Sequence, residues 1–234
     1  MTRLAAVRAI FLDLDDTLYA EHDYFQSGLG AMANWMGRGD SQRVAQLLDQ
    51  LNADVAVNGR QGVIDRIPVP PNLSRDMANC WRLTLLHVYR THKPSLRAFD
   101  DVAPFLLQAS RLGYPLALVT DGKSCVQWNK LTALGLDREC DAIIVTDDID
   151  APKPSVEPFL LAAQLVGVAV VNCVYIADDA SKDFIGPHRL GMTSMRLTRE
   201  LAWPLARQAE AGQQAAQYHI ATLANAATLL FGEQ

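Results

Sequence analysis

The segment Ile10-Phe11-Leu12-Asp13-Leu14-Asp15-Asp16-Thr17-Leu18 turns without transition from an apolar run to three carboxylates within four positions. Carboxylates packed this closely repel one another and raise each other's pKa unless a cation or hydrogen-bond donors compensate. A hard divalent cation is a natural compensator, and Mg²⁺ is typically held by one or two carboxylates while water and phosphate oxygens take its other positions. The bland alternative is a solvated strand-to-loop turn in which one Asp caps whatever follows.

Three further segments share this form. Leu116 to Val119 is apolar and ends in Thr120-Asp121-Gly122, a hydroxyl and an exposed backbone just past a strand; Thr120 could equally cap the helix that starts near Ser124. Lys153 lies between Pro152 and Pro154, whose rings fix φ on both sides and favour a defined position, although a lone Lys is usually a surface residue. Val174 to Ala177 runs into Asp178, Asp179 and Asp183, and Asp183 could be an ordinary helix-start charge. Each segment alone is weak. In order, however, they bring carboxylates, a hydroxyl, an amine and further carboxylates to what would be one sheet edge, the edge at which open α/β sheets bind ligands.

The elements that must position these groups follow from the pattern of apolar residues. Short apolar runs at Ala9 to Leu14, Pro115 to Thr120, Ala142 to Thr146, Cys173 to Ala177 and Thr193 to Leu197 read as strands of a parallel sheet. Ser124 to Leu134, Ser155 to Val166 and Lys182 to Leu190 read as helices, with Gly135, Gly167 and Gly191 where helices stop. After Leu18 about eighty residues pass before this alternation resumes near Asp101. Within them Tyr24 to Trp35, Gln42 to Asn52 and Arg75 to Tyr89 have helical periodicity, and the Gly- and Pro-rich stretch Asn58 to Asn72 reads as loop. Leu201 to Gln217 reads as helix, followed by a short strand-like Tyr218 to Ala221 and a closing helix to Leu230. The expected fold class is α/β, a Rossmann-like parallel sheet core over residues 1–19 and 99–234 with a small all-helical domain over 20–98.

Composition sets the bounds. The chain has 234 residues, enough for such a core and insert, and no apolar stretch long enough to span a bilayer. Arg3 and Arg8 interrupt the start, which lacks a signal peptide's apolar centre, so a cytoplasmic location is expected. The net charge of −5 gives no electrostatic reason to expect nucleic acid as a partner. Cys80, Cys125, Cys140 and Cys173 form no Cys-x-x-Cys pair and read as reduced core or helix residues. Trp35 and Trp81, on helical faces of the insert, read as core residues in preference to a recognition platform. The Gly-x-x-x-x-Gly-Lys loop, His-Glu-x-x-His and Gly-x-Ser-x-Gly patterns are all missing from the sequence.

Taken together, Asp13-Leu14-Asp15-Asp16-Thr17, Thr120, Lys153, and Asp178 with Asp183 resemble, in order and spacing, the four motifs of the haloacid dehalogenase superfamily of phosphohydrolases. The insert resembles the helical cap of the subclass that carries it directly after the first motif. The resemblance implies a phosphatase acting on a small phosphorylated metabolite. Asp13 would be the nucleophile that forms an aspartyl-phosphate, and Asp15 the general acid and base. Thr120, Asp121 and Lys153 would bind phosphate. Mg²⁺ would sit on Asp13, the Asp15 backbone carbonyl and Asp178, with Asp183 supporting the site and Asp179 a rival ligand. Asp15 separates the chain from the carbon-halogen hydrolases of the same scaffold, which carry a non-acid there. A phosphomutase keeps both acids and is the nearer alternative; a catalytically silent small-ligand-binding protein is the other. The sequence departs from the family at Ala177, where Gly is frequent. Oligomeric state has no signature in the sequence.

Overall fold

The computed structural model describes residues 4, 6–200 and 212–232. Strand β1 (Ala9–Leu12) is followed by helices α1 (Glu21–Gly37), α2 (Ser41–Asn58), α3 (Val63–Arg66) and α4 (Arg75–Thr91). Then come α5 (Val102–Arg111), β2 (Leu116–Thr120), α6 (Ser124–Leu134), β3 (Ala142–Val145), α7 (Glu157–Val166) and β4 (Cys173–Ala177). The chain continues through α8 (Ile185–Arg189), β5 (Thr193–Leu197), β6 (Tyr218–Ile220) and α9 (Leu223–Phe231).

The strands form one six-stranded sheet in the order β3-β2-β1-β4-β5-β6, parallel throughout. Parallel strands are covered on both faces, so they read as continuous apolar runs, and all residues of β1, β2 and β4 are buried. The order reverses at β1, with β2 on one side and β4 on the other; this is the switch point at which such sheets take ligands beyond the strands' carboxyl ends. Register fixes what meets there. Leu12 pairs with both Leu118 and Ile176, so Asp13, Thr120 and Asp178 all leave the sheet at the same edge.

Phe11, Val119, Ile144 and Tyr175 belong to one core cluster with Phe159 and Ala162 of α7, and the Phe159 and Tyr175 rings meet edge to face at 4.9 Å. Gly186 of α8 enters this packing closely. A Cβ there would lie 2.8 Å from the Ser155 carbonyl oxygen and 2.9 Å from the Phe159 ring. Gly186→Ala is therefore expected to destabilise the protein by about 1–3 kcal/mol, the usual cost of overpacking a core, read as a lowered urea midpoint. An unchanged midpoint would show that the α7–α8 contact yields freely.

The chain divides into two compact units, one made of the residues up to His22 and from Leu96 onward, the other of Asp23–Ser95. In the second unit Tyr24 and Phe25 of α1 pack their rings against Tyr89 of α4. Trp35 is 40% exposed, its ring 6.2 Å from that of Trp81, so it is not the core residue its helical position suggested. The stretch read as loop between Asn58 and Asn72 contains the turn of α3, held because Arg66 donates to Asp54, the Gln61 carbonyl and the Gly59 carbonyl. Among the described residues, no helix is long and apolar enough to cross a membrane.

Elsewhere the differences have local causes. The helix expected from Lys182 begins only at Ile185, because residues 179–183 use side chains to satisfy the backbone: Asp183 accepts from the Asp179 N–H, and Asp179 from the Ser181 N–H. Helix α5 was not assigned from the sequence. The helix expected over Leu201 to Gln217 falls largely outside the described residues, and Gly212–Gln214 form a 3₁₀ turn. All four cysteines are free, and Cys140 sits half-buried in a loop, neither core nor helix.

Candidate active site

Asp13 continues the ladder beyond β1 by donating its N–H to the Ile176 carbonyl at 3.0 Å, which anchors it between β1 and β4. The chain then reverses. Asp16 adopts a left-handed φ of 53°, which Asp tolerates better than most residues, and its carboxylate accepts from the Glu21 N–H at 2.8 Å.

The Asp13 side chain is almost fully buried, and its Oδ1 accepts from Lys153 Nζ at 2.8 Å. The same ammonium donates to Asp183 Oδ1 at 2.6 Å and to the Tyr175 hydroxyl at 3.0 Å, while Tyr175 donates to the Val119 carbonyl at 3.2 Å. Lys153 is placed by Asp121. Asp121 Oδ1 accepts from the Lys153 N–H at 3.1 Å and from Thr146 Oγ1 at 2.8 Å, tying the loop after β3 to the end of β2. The Asp121 carboxylate thus organises the lysine loop. Tyr175 was not singled out in the sequence, where it reads as an ordinary strand aromatic.

One oxygen from each of Asp13, Asp178 and Asp183 lies within 4.8 Å of the others. Burial pushes Asp13 up to about 7, with Lys153 drawing it down and Asp183 pushing it further up. Asp178 is raised well above the carboxylate range by burial, then by Asp13, Asp183 and Asp16. Burial alone would lower Lys153, but Asp13 and Asp183 reverse this and hold it well above its ordinary value. Even with the Lys153 ammonium beside them, Asp13 and Asp178 therefore still resist ionisation. Closely set oxygen donors with an uncompensated tendency to carry negative charge are what a hard divalent cation fits, and the residues present fit Mg²⁺. Asp179 is turned into its own loop, accepting from the N–H and hydroxyl of Ser181 at 2.9 and 2.6 Å.

The Asp15 carboxylate goes elsewhere. It accepts from Lys130 Nζ at 2.7 and 2.9 Å, from Gln127 Nε2 at 3.1 Å and from the Tyr19 hydroxyl. Burial would raise it, but the Lys130 charge and the three donors hold it below its ordinary value. Gln127 also donates to Thr120 Oγ1 at 2.6 Å. Neither Gln127 nor Lys130 was picked out from the sequence. Their signal is that they share the inward stripe of α6 with Leu131, polar residues at i and i+3 where apolar ones are expected. Ala177 lies fully buried inside β4, paired with Arg196, and is not among the positive-φ residues, so the methyl group in place of Gly requires no unusual backbone.

Against known proteins, the model of the haloacid dehalogenase-like hydrolases matches residues 7–191. The chain belongs to this family. Within the haloacid dehalogenase-like hydrolases it is similar to the glyceraldehyde 3-phosphate phosphatase of Methanopyrus kandleri, 35% identical over 104 residues. That match spans 44% of this chain and 45% of the relative, less than half of each. The Methanocaldococcus jannaschii enzyme of the same name is 23% identical over 197 residues, covering 82% of this chain and 86% of its own. A HAD-hydrolase of Bacillus subtilis, solved bound to magnesium, superposes with a TM-score of 0.66 at 15% identity over 98% of this chain and 100% of its own, a likeness of fold. The resemblance read from the four motifs and the α/β fold are thereby borne out, and α1–α4 after β1 form the helical cap. The expected enzyme class, a phosphoric monoester hydrolase, agrees with the family and with both named relatives.

Proposed function

We propose that this haloacid dehalogenase-like hydrolase is a Mg²⁺-dependent phosphatase that cleaves a small phosphomonoester through an aspartyl-phosphate on Asp13. The observation that carries the reading is the buried Lys153 ammonium bridging Asp13 and Asp183 beside Asp178 at the sheet's switch point. A carboxylate fixed in this way has lost its orientational freedom before substrate arrives, which lowers the barrier to in-line attack. One Asp13 oxygen forms the bond to phosphorus as the ester bond breaks; the departing alkoxide takes a proton from Asp15. Water then attacks the aspartyl-phosphate, gives a proton to Asp15, and Asp13 is released with inorganic phosphate. The donors around Asp15 favour its ionised form, the one that accepts water's proton. Thr120 and Lys153 are assigned to the non-reacting phosphate oxygens, where charge must be stabilised. Asp13 and Asp178, with the Asp15 backbone carbonyl, would hold Mg²⁺, whose charge offsets the repulsion between carboxylate and phosphate dianion; Asp183 supports them.

For substrate, a small phosphorylated metabolite fits the family, and triose phosphates stand first because both named relatives carry that activity in their names. The cytoplasmic setting expected from the sequence belongs to the same reading. The test is phosphate release from triose phosphates, sugar phosphates, phosphoacids and nucleotides, with Mg²⁺ and with EDTA. Turnover should require Mg²⁺ and vanish with EDTA; undiminished release in metal-free buffer would remove the metal-dependent mechanism. Transfer of phosphate within the substrate with none set free would instead identify a mutase.

A further inference from the structure

Gln127 is a buried amide on α6 that reaches two groups the mechanism uses, with Nε2 2.6 Å from Thr120 Oγ1 and 3.1 Å from Asp15 Oδ2. Which end of the amide faces them follows from the charge pattern. Asp15 is paired with the buried Lys130 through both oxygens, and in this ionised form it accepts without donating, so the amide turns its nitrogen toward Asp15. Nitrogen carries two hydrogens. One goes to Asp15 and the other meets Thr120 Oγ1, which therefore acts as acceptor on that side. A threonine hydroxyl has one hydrogen of its own, and with an acceptor lone pair already filled that hydrogen must point to something else.

We propose that Gln127 is a positioning residue that sets the Thr120 hydroxyl as a hydrogen-bond donor toward the substrate phosphate. The chain of contacts runs from Lys130 to Asp15, to the Gln127 amide, to Thr120, so the acid–base carboxylate and the phosphate-binding hydroxyl are held by one side chain. Gly122 is part of the arrangement. A Cβ at this position would lie 3.0 Å from both Cδ and Oε1 of Gln127, and its φ of +137° disfavours any side chain, so glycine here leaves room for the amide. The inference rests on Thr120 binding phosphate, as proposed above.

The test is calorimetric titration of inorganic phosphate onto the Mg²⁺-loaded protein, for wild type, Thr120→Val, Gln127→Met and the double variant. Thr120→Val removes the donor and should weaken phosphate binding roughly tenfold, the scale of one hydrogen bond to a charged group. Gln127→Met keeps length but cannot donate, leaving the hydroxyl free to turn away; a loss of roughly fivefold is expected on the same scale. The double variant should bind no more weakly than Thr120→Val alone, because the glutamine acts through a hydroxyl that is already gone. A glutamine that merely packed the site would show losses that multiply. Multiplying losses, or a Gln127→Met protein that binds phosphate as wild type does, would overturn the positioning role and leave the phosphatase reading standing. Wild-type affinity in Thr120→Val would instead remove Thr120 from the phosphate site, and the inference with it. Should Gln127→Met fail to fold, Gln127→Asn serves, since it retains the amide but falls one methylene short of Thr120 and should give the same pattern.

Discussion

Asp13→Asn is expected to abolish phosphate release, by a factor on the order of 10⁴ or more, while the protein remains folded. The amide keeps the shape and can still accept from Lys153 Nζ, which also retains Asp183 at 2.6 Å, so the buried ammonium is not stranded. What is lost is the nucleophile and one anionic oxygen of the Asp13, Asp178 and Asp183 cluster. The stability consequence has a definite sign. A carboxyl group raised from its ordinary value to about 7 binds its proton more tightly in the folded protein than in the unfolded chain. Its contribution is fully present below the unfolded pKa and is lost as pH rises through about 4 to 7, so above that window the ionised Asp13 weakens the metal-free fold. The asparagine variant lacks this loss. In EDTA at pH 8 its thermal unfolding should come at the wild-type temperature or above it, with phosphate release at background. Near wild-type turnover in purified protein would rule out Asp13 as the nucleophile. Inactivity together with a large drop in unfolding temperature would mean that the carboxylate is structural.

Much of the framework behind that expectation was legible in the sequence, for a physical reason. Strands of a parallel sheet are buried on both faces, so β1, β2 and β4 appear as unbroken apolar runs, and the polar residue that ends each run marks the strand's carboxyl edge. Asp13, Thr120 and Asp178 stood out on this account. Lys153 stood out through its flanking prolines. The partners of these groups were hidden because they depend on which distant segments fold together. Lys130 and Asp15 are 115 positions apart, and a lysine on a helix reads as solvated until the helix is known to turn that face inward. Asp121 looked like part of a phosphate-binding turn, whereas its side chain secures a loop 32 positions further on. Tyr175 carries no chemical pattern at all; only the packing of α7 and the reach of Lys153 show that its hydroxyl sits at the site.

Lys153→Met should have the largest effect on stability, because Lys153 is the cation that Asp13 and Asp183 share in a region almost closed to solvent. The Lys153 side chain is 1% exposed, and those of Asp13 and Asp183 are 8% and 0% exposed. Removing one partner of a buried ion pair leaves the other charge without compensation, at a cost of about 3–5 kcal/mol, far more than the pair adds relative to a well-packed apolar substitute. Here two carboxylates are left, and the Tyr175 hydroxyl loses the donor it accepts from. The metal-free variant at pH 8 should therefore unfold at a markedly lower urea concentration than wild type. Acidification should narrow the gap. Without the ammonium that draws it down, Asp13 is freer to take up a proton, and a neutral carboxyl group needs no counter-charge, so part of the stability lost at pH 8 returns as pH falls toward 5. Mg²⁺ should narrow it too, since a cation bound only by the folded state adds stability in proportion to the logarithm of its concentration over its dissociation constant. Lys153→Arg should not restore the wild type, because a planar guanidinium cannot replace one compact nitrogen aimed at Asp13, Asp183 and Tyr175 together. Turnover should fall by roughly 10²–10³ in both variants through loss of charge stabilisation and of the nucleophile's orientation. A Lys153→Met protein as stable as wild type at pH 8 without metal would show that the cluster already holds its protons at that pH, and that the lysine serves phosphate binding alone.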